Sequence, residues 1–96
     1  MTSLVLQHQS DLKRICQEQG ISYLGVFGSQ SRGDVKPNSD VDFLVEFKHT
    51  PGLISFIRTK HLFEDVLGRK VDLVTKNNIS KILEPYINQD LQTLHG

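Results

Sequence analysis

Asp40 and Asp42 stand one residue apart where an apolar run, VDFLVEF over residues 41–47, begins. Side chains alternate across a strand, so residues two apart face the same way, roughly 6.6 Å from each other along it. A carboxylate in so apolar a setting is costly unless it is paired or holds a metal. Asp72 interrupts a second apolar run, KVDLVT over 70–75, between Val71 and Leu73. If that strand lies beside 41–47, Asp72 completes a cluster of three carboxylates whose mutual repulsion a bound cation relieves. Hard oxygen ligands without a His or Cys cluster point to Mg²⁺ or Mn²⁺ rather than Zn²⁺. A close pair of such ions can activate an attacking oxygen and stabilise a leaving one.

The segment before these aspartates offers phosphate chemistry. The run SYLGVF over 22–27 ends at Gly28, where a missing side chain lets backbone approach a ligand. Ser29 carries a hydroxyl able to donate to a phosphate oxygen, and Arg32 can act as a phosphate fork. Neither G-x-x-x-x-G-K-[ST] nor a strand-borne G-x-G-x-x-G is present. Lys70 and Lys76 flank the Asp72 strand. His8, His49, His61 and His95 show no metal-ligand spacing.

The elements that must position these residues follow from periodicity. Leu4, Leu12, Ile15 and Cys16 mark a helix over 3–19, with Gly20 as its stop. Residues 22–27 and 41–47 read as strands, the second with Val41, Phe43, Val45 and Phe47 on one face and Asp42, Leu44 and Glu46 on the other. Leu53, Phe56, Ile57, Phe63, Val66 and Leu67 give a helix over 53–67, closed by Gly68 and followed by the strand at 70–75. The remainder reads as helical, with Pro85 marking a break or a fresh start. The order predicts an α/β sandwich around a small sheet, as one domain over residues 1–96.

Composition narrows the classes. Eleven Lys plus Arg balance eleven Asp plus Glu, which argues against a broad nucleic-acid or membrane surface. The single cysteine, Cys16, excludes an internal disulfide and falls at a core position. No apolar stretch approaches the roughly 18 residues of a membrane span, and a cytoplasmic protein is expected.

Gly28-Ser29, ten intervening residues, then Asp40-x-Asp42 resembles the signature of the DNA polymerase beta-like nucleotidyltransferase superfamily. The wider text, GSQSRGDVKPNSDVDFLVEF followed by LGRKVDLVT, resembles the minimal nucleotidyltransferases (MNT), antitoxins of HEPN/MNT toxin–antitoxin modules. The likeness covers about residues 22–76. It implies an α/β (α+β) fold, with a small mixed sheet flanked by helices. It also implies ATP as substrate, Mg²⁺ as cofactor and a HEPN-type toxin as partner, with AMP passed to a tyrosine hydroxyl of that toxin. By position, Gly28 and Ser29 would hold the triphosphate, and Asp40 and Asp42 the metals. Asp72 would be a further metal ligand or the base for the acceptor. Gln30-Ser31 departs from many relatives, which carry a basic or small residue and Ala there. A 96-residue chain has little room for an acceptor domain, so a partner is expected to bring the acceptor. The helix over 53–67, or the C-terminal region with Leu83, Tyr86, Ile87, Leu91 and Leu94, is the docking surface to consider. The competing reading is a binding module that masks its toxin without chemistry.

Overall fold

A computed structural model of the protein describes residues 3–28, 40–76, 79, 81–82 and 84–96. The expected first helix is two: α1 (Ser3–Gln7) and α2 (Gln9–Gln19). His8 divides them with φ −106° and ψ 14°, outside the helical well, while its carbonyl accepts the Leu12 N–H at 2.9 Å and so starts α2. Leu12, Ile15 and Cys16 turn inward from α2 and are at most 2% exposed. Burial pushes the Cys16 thiol up to about 11, so it is an inert core group as its spacing suggested. Gly20 closes the helix in the left-handed region at φ 67°.

Four strands form one sheet in the order β3-β2-β1-β4: β1 (Ile21–Phe27), β2 (Val41–Phe47), β3 (Val71–Thr75) and β4 (Gln92–His95). β1 runs antiparallel to both β2 and β4, whereas β2 and β3 are parallel. A parallel pair needs a crossover, and here it contains α3 (Leu53–Leu67). The fold is therefore a small mixed α/β sheet with helices, as expected. Val41, Phe43 and Val45 are fully buried on the helix side, where Phe43 meets Phe63 of α3 edge to face at 5.1 Å. Burying each such phenyl ring contributes about 1.5–3 kcal/mol. Leu44, on the opposite face, is also only 1% exposed, so the middle of β2 is covered on both sides.

The C-terminal region departs from the reading of helix throughout. A helix, α4 (Glu84–Asp90), does start beside Pro85, but the last residues form β4 on the free edge of β1. Leu91 and Leu94 are three apart and so mimic a helical face. In fact Leu94 is a buried strand residue, while the Leu91 side chain lies over Gly25. A four-residue strand is too short for alternation to register, and the unpaired backbone of β1 supplies the reason it forms.

Candidate active site

β1 ends at Gly28, whose φ of 74° is a left-handed conformation that glycine adopts without strain. A Cβ there would lie 2.6 Å from Asp42 Oδ2, so a side chain at this position would displace the Asp42 carboxylate as well as strain the backbone. The backbone that would approach a ligand is thus packed directly on the first strand carboxylate.

Strand register then builds the site. Phe27 of β1 pairs with Asp42 of β2, and Asp42 pairs with Asp72 of β3. The condition set by the sequence, that the strand carrying Asp72 lie beside 41–47, is met in the register that aligns the two carboxylates. Parallel neighbours lie about 4.8 Å apart in the sheet, so both side chains leave the same face from adjacent strands. Asp40 is exposed immediately before β2, Asp72 is exposed on the edge strand, and Asp42 is half-buried between them. Burial, then repulsion from Asp72 and from Asp40, raises the Asp42 carboxyl to about 6.

Among the described residues no cation opposes Asp42, and no three His, Cys, Asp or Glu side chains are gathered closely enough to form a finished metal cage. The donor set is nonetheless of the kind a hard divalent cation takes: all oxygen, with Asp42 and Asp72 on one sheet face, Asp40 close to Asp42, and a charge conflict that a cation would relieve. Ser29, Arg32 and the Gln30-Ser31 pair lie outside the described residues.

The same sheet face holds a second polar group that the sequence did not reveal. Four residues along the strands, about 13 Å from the Asp42–Asp72 row, Lys76 Nζ lies 3.6 Å from Glu46 Oε2 and 4.1 Å from the centre of the Tyr23 ring. The Tyr23 hydroxyl is 3.1 Å from Thr93 Oγ1 of β4. Lys76 is thereby committed away from the carboxylates. A cavity of about 390 Å³, lined by Phe47, Pro51, Leu53, Phe56 and Lys76 among others, also sits at that far end of β2 and contains none of the three aspartates.

Comparison with known proteins places the fold in a family. Residues 10–93 match the nucleotidyltransferase domain family. Over 77 residues the chain is 40% identical to the protein adenylyltransferase MntA of Thermococcus cleftensis, covering 80% of this chain and 75% of that one. A solved structure described as a candidate minimal nucleotidyltransferase superposes with a TM-score of 0.80 at 27% identity, covering 92% of this chain and 90% of that chain. The fold is also shared, at 19% identity and a TM-score of 0.73 over 95% of this chain and 71% of that chain, with a structure of a tri-AMPylated Shewanella oneidensis HEPN toxin in complex with MNT antitoxin. The chain belongs to the nucleotidyltransferase domain family, among its minimal nucleotidyltransferases.

Proposed function

We propose that the protein is an antitoxin that transfers AMP from ATP to a tyrosine hydroxyl of a HEPN-type toxin and thereby inactivates it. The observation that carries this reading is the register of Asp42 against Asp72, with Gly28 packed on Asp42. The relative named protein adenylyltransferase and the solved complex of an AMPylated HEPN toxin with an MNT antitoxin support it.

Asp40, Asp42 and Asp72 would hold Mg²⁺, for which Mn²⁺ could substitute. When bound, such an ion neutralises charge on the phosphates and eases departure of pyrophosphate. The Gly28 backbone and the Ser29 hydroxyl would receive the triphosphate, with Arg32 as a further phosphate contact. The acceptor oxygen attacks the α-phosphorus as the bond to the bridging oxygen of the β-phosphate breaks, and pyrophosphate leaves. Asp72, exposed on the edge strand, can take up the proton of the acceptor hydroxyl or serve as a further metal ligand. Much of the remaining barrier falls to positioning. The whole sequence, 1–96, would act as one cytoplasmic catalytic domain, with the partner presenting the acceptor. No helix among the described residues is long and apolar enough to cross a membrane.

The test is transfer of label from ATP carrying a radioactive α-phosphate to the HEPN partner in the presence of Mg²⁺, followed by peptide mapping. Label on a tyrosine, with toxin activity lost only when ATP is present, is the expected result. Inhibition that needs no ATP and leaves no label would instead establish steric masking.

A further inference from the structure

Asp72 sits on β3, which among the described residues is an edge strand, with β2 on one side and no strand on the other. Its placement therefore depends on how the start of β3 is held. On the inner side, the Val41 N–H donates to the Lys70 carbonyl at 2.9 Å. Hydrogen-bonding direction alternates along a strand, so the N–H of the next residue, Val71, turns away from β2. Val71 is only 1% exposed, and a buried N–H without a partner is costly. The side chain of Glu64 supplies the partner: its Oε2 accepts the Val71 N–H at 3.0 Å.

Glu64 lies in the last turn of α3, where the helix dipole favours a cation and disfavours a carboxylate. An acid there calls for a local reason. Its backbone carbonyl accepts the Gly68 N–H at 2.8 Å, closing the helix, while its side chain reaches past the turn to the first residue of the strand. One residue thus closes α3 with its main chain and ties the helix end to the start of β3 with its side chain. The nearby His61 Nε2, 4.0 Å from Glu64 Oε1, is largely exposed and leaves Oε2 to Val71.

We propose that Glu64 is a positioning residue for Asp72: by accepting the Val71 N–H it fixes the first residue of β3, and with it the placement of the next side chain against Asp42. The link to turnover rests on the function proposed above, whereas the link to the strand does not. Two measurements separate them. Amide hydrogen exchange is followed at Val71 and Asp72 in the intact chain, and kcat and KM for ATP are measured with the HEPN partner, for Glu64→Ala and Glu64→Gln.

In Glu64→Ala, exchange at Val71 accelerates about 10-fold or more while the core of β1 and β2 keeps its protection. In the same variant kcat falls about 10- to 100-fold with KM for ATP little changed, since the triphosphate contacts lie at Gly28 and beyond. Glu64→Gln keeps an acceptor oxygen and restores both readings. Wild-type exchange at Val71 in Glu64→Ala would overturn the proposal, as would a Gln variant impaired as deeply as the Ala variant. Loss of protection throughout the sheet in Glu64→Ala, rather than at the start of β3, would also overturn it. If no variant labels the partner, wild type included, the proposed function fails while the exchange pattern still decides the role of Glu64 at the strand.

Discussion

The two ends of one sheet face treat acidic residues in opposite ways. At one end, Glu46 of β2 is answered by Lys76, which also lies over the Tyr23 ring, and Tyr23 in turn reaches Thr93. At the other end, Asp42 of the same strand faces Asp72 with Asp40 nearby, and among the described residues no cation faces it. Glu46 and Asp42 are two turns of the same pleat apart, on the same face. An acid with a lysine beside it belongs to structure, and being half exposed it contributes little. An acid that is half-buried beside two others raises the free energy of the fold, and that cost is understandable where a bound cation and its substrate complete the site.

The comparison can be broken most forcefully at the acidic end. Asp40→Asn and Asp42→Asn should each lower AMP transfer by more than about 100-fold while circular dichroism shows an unchanged fold, since each removes a proposed cation ligand. Gly28→Ala should come next. Its Cβ would meet Asp42 Oδ2 at 2.6 Å and its φ of 74° is strained for any side chain, so transfer falls and chemical denaturation shows a loss of about 1–2 kcal/mol.

Asp42→Asn should also change stability in the opposite sense to its effect on activity. The Asp42 carboxyl ionises at about 6 in the fold against an ordinary 3.8. Between those values the folded chain binds more protons than the unfolded one, so its stability falls as pH rises from about 4 to 6. The Asn variant lacks that slope, and at pH 7 it should be more stable by about 1–2 kcal/mol, the shift being discounted for solvent screening. Melting curves across pH 4–8 would read this directly. The smallest effect belongs to the other end: Lys76→Met should change stability by less than about 1 kcal/mol, read by denaturant titration, and leave transfer near the wild-type rate.

Much of this contrast was legible in the residues. The apolar runs fixed β2 and β3 closely, and an Asp inside each was anomalous enough to mark the site. Their alignment could be stated only as a condition, because pairing register is a property of two strands and sequence shows one at a time. Glu46 and Lys76 are thirty residues apart, so their pairing with Tyr23 became visible only once the sheet order was known. Glu64 carried a weaker local signal, an acid in the closing turn of a helix, which gains meaning from the Val71 N–H that it accepts. β4 was missed because two leucines three apart outweighed a four-residue strand that depends on the free edge of β1 and on burial of Leu94, neither visible in sequence.

The most direct measurement places both ends in one assay. Labelled AMP transfer to the proposed HEPN partner is compared between Asp42→Asn and Glu46→Gln, two isosteric losses of a carboxylate from the same face of the same strand. Transfer abolished by the first and retained by the second is the predicted result. Equal transfer by the two variants would contradict the assignment of the Asp42–Asp72 row as the catalytic end of the sheet.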